Sequence, residues 1–319
     1  MVNDMILGSK AEVVNKMPCA SGTLILSLLL ILGLSAPISL GDGVADTPFV
    51  QEYHEAYTVG QESASNDVRA ITVDGVEGVW VGTGVGVYRL DGDTKQWVRL
   101  LGETDAGPVY DMVADSAGTV WVGAWNGMYR STSDGLQRLE QINHPIVALC
   151  AAKDGIIGLG AGGVWRVAKD TCTFKETPYS KHFRAVLPDR HSGLWIATGM
   201  GLYHHMDTRH KFYQAESELL SPDIHDIAYA SDGSLWIGGL GGITVYKEAN
   251  RVRSFTPNEG LPSISIRCVR QGPEGHIWIG TDQGVARCDG RNWLLRHSKR
   301  WLVSDDVRDI AFDSQGTAW

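Results

Sequence analysis

Three features of the sequence predict an all-β chain folded as a ring of repeated sheets. The first is composition: 38 Gly, 11 Trp and 10 Tyr in 319 residues is the balance of short strands joined by tight turns, with 43% hydrophobic residues to fill a core. The second is a recurring phrase, "GTVWVGAWNG" at 118–127, "GSLWIGGLGG" at 233–242 and "GHIWIGTDQG" at 275–284. The third is its period. Tryptophans stand at 80, 121, 195, 236, 278 and 319, and Gly158 fills the slot in the one repeat that lacks it, so the spacings are 41, 37, 37, 41, 42 and 41 residues. A period near forty without helical periodicity is that of propeller blades, each a four-stranded antiparallel sheet. Six repeats and the opening of another predict a seven-bladed β-propeller over residues 49–319, with the last blade truncated at the C-terminus.

Ahead of the repeats, the apolar run 23–40, "TLILSLLLILGLSAPISL", follows Lys10 and Lys16 and precedes small residues. That is the layout of a secretory signal peptide within residues 1–45, with cleavage after Gly41 or Ala45 and Met17 as an alternative start. A retained membrane anchor is the alternative, since eighteen apolar residues nearly span a bilayer, but Pro37 argues against it. Export is the expectation, to the periplasm or the outer side of the inner membrane. The stretch 49–68 contains a strand near 53–59 with no blade of its own, expected to close the ring by pairing into the seventh blade.

Each repeat opens on an alternating first strand such as "VRAITV" (68–73), "VYDMVA" (109–114) or "IHDIAY" (224–229). A turn of Asp or Glu ending in Gly reverses the chain, because glycine takes positive φ without penalty. The second strand carries the tryptophan, further glycines reverse the chain again, and a third and fourth strand lead into a loop rich in Pro, Asp, Glu and Ser. One blade cannot bury both faces of its sheet, so each needs a large flat side chain against its neighbour. A buried indole removes roughly 150 to 250 Å² from water, about 4 to 6 kcal/mol at most. The anchor tryptophans therefore read as packing residues. Cys150 and Cys268 fall on first strands, Cys288 on a third and Cys172 on or beside a fourth. Strands that are not adjacent lie too far apart to bridge, so buried free thiols are expected.

The stretches "VRAITVDGVEGVWVGTGVGVYRLD", "GLWIATGMGLYHH" and "PNEGLPSISIRCVRQGPEGHIWIGTDQGVARCDG" resemble the two-component regulator propeller repeat, and the likeness extends over about 49–319. The third repeat, "KDGIIGLGAGGVWRV" (153–167), departs from it by losing the tryptophan. The resemblance implies an extracytoplasmic sensor propeller that responds to glycans, with a membrane helix and a histidine kinase in a part beyond residue 319. No catalysis is then expected in these residues.

First strands line the channel of a propeller, and their second position reads Arg69, Tyr110, Val147, Arg184, His225, Arg267 and Arg308. Four arginines in seven suggest a polar ring near one mouth, suited to carboxylate or sulfate by bidentate hydrogen bonding. The bland alternative is that they pair with Asp111, Asp226 and Asp309 and tie blades together. Trp125 and Trp301 break the repeat pattern and are candidates for ligand stacking. "GLGAGG" at 158–163 has dinucleotide spacing, but a strand follows where the fingerprint needs a helix. His204, His205 and His210 read as solvated loop-edge residues, not metal ligands, since adjacent strand residues face opposite ways.

The partners expected are a small molecule or oligosaccharide, the membrane through the N-terminal segment or a helix beyond 319, and a second copy of the chain. Nucleic acid is excluded, since a net charge of −9 provides no basic groove. No metal or organic cofactor is implied. The rival readings are an exported propeller enzyme, either a lyase or a glycoside hydrolase, and an adhesion or scaffold propeller.

Overall fold

The computed structural model describes residues 6–11 and 52–319, less 170, 179–181, 192, 207–208, 215–217, 249 and 291. Six four-stranded antiparallel sheets follow one another along the chain. Blade 1 runs through Val68–Val73, Val79–Thr83, Gly86–Leu90 and Trp97–Gly102. The first strands of blades 2 to 6 are Val109–Ala114, Ile146–Ala152, Phe183–Pro188, Ile224–Tyr229 and Ile266–Gln271. Each first strand lies beside the first strand of the next blade, so these strands ring a common axis.

The repeated phrase has a physical meaning at each position. In the first turn, Asp74 Oδ1 accepts from Val76 N at 2.9 Å and Gly78 N at 2.7 Å, while Oδ2 receives the Trp80 indole N–H at 2.8 Å. Asp115 does the same for Ala117, Thr119 and Trp121, and Asp313 for Gln315, Thr317 and Trp319. One carboxylate thus closes the hairpin and fixes the indole. Each tryptophan then packs on the following blade: Trp80 against Val109 and Met112, Trp121 against Ile146 and Leu149, Trp195 against Ile224 and Ile227, Trp236 against Ile266 and Val269. The glycine two residues later is there for closeness. A Cβ on Gly82 would stand 2.3 Å from Val109 Cγ1, and one on Gly238 would stand 2.6 Å from Ile266 Cγ2. The threonine after it, Thr83, Thr198 or Thr281, is fully buried and donates across the second turn to Gly86, Gly201 or Gly284.

Two expectations fail here. The structure has six blades, not seven, and no truncated seventh blade is evident: residues 307–319 form no sheet, only the bridge Phe312↔Ala318 and the reciprocal backbone bonds of Ala311 and Trp319. Thirteen residues around one turn supply two short arms, too few for a four-stranded ladder. This segment instead lies between blade 6 and blade 1. Val307 N donates to Thr281 O at 2.8 Å, while Ile71 N donates to Asp309 Oδ2 at 3.0 Å and Ser314 N to Glu77 Oε2 at 3.0 Å. Nor does the strand near 53–59 pair into a blade. Glu52–Tyr57 pairs antiparallel with Ile6–Ala11 along one edge, and the Tyr57 ring lies 5.7 Å from that of Trp319.

The leader reading falls on residues outside those described, apart from the strand Ile6–Ala11. Among the described residues no helix is long and apolar enough to cross a membrane. All four cysteines of the repeats are free thiols: Cys268 and Cys288 are buried, Cys150 and Cys172 half-buried. "GLGAGG" spans the turn between Gly155–Gly160 and Gly163–Ala168, two strands with no helix. The histidines lie on strands and not at loop edges: His204 and His205 on Gly201–Met206, His210 on Arg209–Tyr213. His204 stacks on Trp195 with ring centroids 3.8 Å apart and bonds Asp189 Oδ2 at 2.7 Å. No group of His, Cys, Asp or Glu among the described residues could hold a metal ion.

Candidate functional site

In every blade the pairing of first and second strands slips by one residue at the same place, between Val68 and Ala70 in blade 1 and between Ile266 and Cys268 in blade 6. The residue left over is the second position of the first strand: Arg69, Tyr110, Val147, Arg184, His225 and Arg267. A bulge re-aims the side chain it carries, so the ring read from the sequence is a ring of bulge residues. They lie at the end of the barrel where the turn between second and third strands bonds the residue ahead of the first strand. Gly84 N donates to Asp67 O, Trp125 N to Pro108 O, Gly199 N to His182 O, Leu240 N to Asp223 O and Asp282 N to Ser265 O.

At this mouth the arginines pair with aspartates, though not those expected. Asp67 receives Arg69 Nε at 2.9 Å and Nη2 at 2.7 Å on one oxygen, and Arg308 Nη1 on the other. Arg308 Nε also reaches Asp306 Oδ2 at 3.2 Å, and Arg267 Nε donates to Asp306 Oδ1 at 2.9 Å. Arg69, Asp67, Arg308, Asp306 and Arg267 therefore form one continuous chain of charges. Burial works against the Asp67 charge, yet Arg69 and Arg308 together outweigh it and hold its carboxyl below the usual range.

A second group gathers at Asp223. His225 Nε2 stands 3.4 Å from Asp223 Oδ2, while Arg184 Nη2 comes only to 3.9 Å from Oδ1. The His225 Nδ1 contact with the Ile266 carbonyl, at 2.6 Å, requires that this nitrogen carry the proton, since a carbonyl only accepts. Tyr110 is half-buried on its own bulge in blade 2. Trp125, in the turn bonded to Pro108, is 54% exposed on the same face. Trp301 is not brought to this cluster: it lies in the loop after the last strand of blade 6, with the guanidinium carbons of Arg296 and Arg300 at 4.5 and 5.2 Å from its ring.

The aspartates expected to pair with the bulge arginines do something else. Asp111 Oδ1 accepts from Met112 N at 2.8 Å, and Oδ2 accepts from Leu149 N of the next blade at 2.6 Å. Asp226 serves Ile227 and Val269 in the same way, and Asp309 serves Ile310 and Ile71. Three carboxylates thus satisfy six of the seven equivalent amides. The seventh, Val186, lies between Ala148 and Ala185, where the others have aspartate. Arg270, which the sequence did not single out, donates through Nη1 to Asp226 and through Nη2 to Asp309 Oδ1 at 2.6 Å. The signal was available: with a bulge at position two, positions three and five of a first strand share a side, and Arg270 is position five of blade 6.

Burial and the Asp309 charge push the Asp111 carboxyl up to about 7, against the pull of Leu149 N and Arg270. Burial also raises Asp309. The Cys150 thiol is pushed up to about 12 by burial and the Asp111 charge, which leaves it unreactive as a nucleophile.

Residues 260–283 match the family model described as Two component regulator propeller. No curated protein matches the chain. Among solved structures, "Streptogramin B lyase structure" is similar with a TM-score of 0.65 at 15% identity, covering 79% of this chain and 89% of that one. The extracellular domain of the proposed one component system BT4673 from B. thetaiotaomicron is similar with a TM-score of 0.64 at 16% identity, covering 79% of this chain and 36% of that one. The WD40 β-propeller domain of Doa1 gives a TM-score of 0.58 at 15% identity, covering 78% of this chain and 84% of that one. At these identities the likenesses are of fold.

Proposed function

We propose that this chain, whose residues 260–283 match the two-component regulator propeller model, is the ligand-sensing, extracytoplasmic propeller of a two-component signalling protein. Its ligand is a glycan or oligosaccharide seated on the mouth, and it performs no chemistry on that ligand. The observation that carries this reading is the convergence of Arg69, Arg267 and Arg308 with Asp67 and Asp306 in one partly open array. Such an array presents fixed donors and acceptors side by side, as a polyhydroxylated ligand requires, and the exposed Trp125 ring adds a flat face for a sugar. The apolar run at 23–40 supports export. The lyase likeness, at 15% identity, is of fold alone.

The test is calorimetric titration of the chain with a panel of neutral and acidic oligosaccharides. Trp125→Ala and Arg267→Ala should each weaken the best ligand by about tenfold or more without lowering Tm. A panel that yields no binder, or a binder indifferent to both changes, defeats the reading.

A further inference from the structure

Among the described residues, four large apolar side chains stand open on the mouth face: Trp125, Met200, Leu240 and Ile264, at 54%, 58%, 43% and 52% exposure. Other exposed ones have a plain reason. Val98, Phe174, Val252 and Leu295 lie on outermost strands, and Val76 lies in a turn at the opposite end. The backbone at or next to Met200, Leu240 and Ile264 is linked around Asp223. A Cβ on Gly199, next to Met200, would stand 3.4 Å from Asp223 Oδ1. Leu240 N donates to Asp223 O at 3.0 Å, and Leu240 bridges to Ser265, the neighbour of Ile264.

Arg184 stands in this arc, and its side chain differs from the other arginines of the mouth. Arg69, Arg267 and Arg308 are each held by carboxylates within hydrogen-bond distance. The Arg184 side chain is 51% exposed and comes only to 3.9 Å from Asp223, beyond hydrogen-bond distance. It is the arginine of the ring with no carboxylate within hydrogen-bond distance among the described residues.

We propose that the arc of the mouth built by blades 4 to 6 binds an aliphatic carboxylate, with Arg184 taking the carboxylate and Met200, Leu240 and Ile264 taking the hydrocarbon. The side chains are aliphatic or thioether, without a ring to stack on, so they fit a hydrocarbon body better than a sugar face; the aromatic platform, Trp125, belongs to blade 2. Asp223 sets the charge. Its carboxylate beside Arg184 tolerates a monoanion, which displaces only a 3.9 Å contact, but opposes a dianion such as phosphate. The shared chemistry has two sources: a free fatty acid and the C-terminal aliphatic residue of a peptide. The inference rests on the mouth as the ligand seat and is independent of the ligand's being a saccharide.

The experiment is titration of the chain, followed by calorimetry and thermal shift, with hexanoate and N-acetyl-leucine as probes and hexanol and N-acetyl-leucine amide as uncharged counterparts. Either acid should bind and its counterpart should not; hexanoate alone points to a fatty acid, N-acetyl-leucine alone to a peptide terminus. Arg184→Gln should weaken binding about tenfold or more, and Leu240→Ser should weaken it as well. Lys153→Gln, which removes the same charge from an exposed turn on the opposite face, should leave it unchanged. Equal binding of the uncharged counterparts, no binding of either acid at tens of millimolar, or binding unaffected by Arg184→Gln would each overturn the proposal. A saccharide lost with Trp125→Ala while hexanoate binding is absent would defeat this inference and leave the saccharide reading standing; the converse result would do the reverse.

Discussion

Asp111 makes stability depend on pH in a direction opposite to that of most carboxylates. Its carboxyl is pushed up to about 7 in the fold, from the ordinary 3.8, by burial and by Asp309 and Asp226 across the axis. Arg270 is the one cation among these groups, and it is bound to Asp226 and Asp309. Because the folded value lies above the unfolded one, the stabilising contribution is complete below pH 3.8 and is lost as pH rises toward 7. Three units at about 1.4 kcal/mol each give a loss of about 4 kcal/mol. For a chain of this size that is about 8 to 16 °C in Tm. Asp309 titrates with it, in the same direction.

Asp111→Ala is the informative variant, because Ala70, Ala148 and Ala185 occupy the same position in blades 1, 3 and 4 and show that the site accepts a methyl group. The variant loses the bonds to Met112 N and Leu149 N, about 1 to 3 kcal/mol, and escapes the ionisation cost. Measured by thermal unfolding from pH 5 to 8, the wild type should lose Tm steeply while the variant declines less. The two curves should converge toward pH 8. Histidines titrate in the same window in both proteins, so the difference curve is the readout. A wild-type Tm flat across this range, or a variant curve parallel to the wild type, would refute the reasoning.

Two further outcomes follow from the packing. Arg270→Met removes the one guanidinium between Asp226 and Asp309, leaves both buried carboxylates without a cation and should cost about 3 to 5 kcal/mol in denaturant unfolding at pH 7; a cost below about 1 kcal/mol would show that these carboxylates need no cation. Trp236→Ala empties the seam between blades 5 and 6, where the indole packs on Ile266 and Val269, and should cost about 3 to 5 kcal/mol by the same measurement. A near-neutral result would remove the wedge role from the tryptophans.

The blade architecture was legible because its signals are local. A period near forty, a carboxylate six residues before each of Trp80, Trp121 and Trp319 and a glycine two after most anchor tryptophans each fix a turn or a contact within one repeat and its neighbour. Blade number was not legible, because it depends on partners far apart in sequence. The strand near 53–59 has the pattern of a blade strand, but it pairs with Ile6–Ala11, and nothing in its own residues distinguishes the two partners. The bulge residues were found as a column of arginines, but their partners were placed on the wrong column. Asp226 stands at position three of its strand and Arg267 at position two, so pairing them ignores the alternation of faces. Across the one-residue slip, Arg267 at position two meets Asp306, and Asp226 at position three meets Arg270 at position five.

That slip also joins the mouth to the axis. Asp111 and Asp226 directly follow the bulge residues Tyr110 and His225, and Asp309 directly follows Arg308. The carboxylates reach across blade boundaries to Leu149, Val269 and Ile71. A ligand that moves His225 or Arg308 therefore acts on a peptide unit whose next side chain ties two blades together. The displacement needs no long path of coupled residues, since adjacent residues carry both contacts. The effect should be greatest at the boundaries that have a clamp and least between blades 1 and 2, 3 and 4, and 4 and 5, where Ala70, Ala148 and Ala185 supply no carboxylate to transmit it.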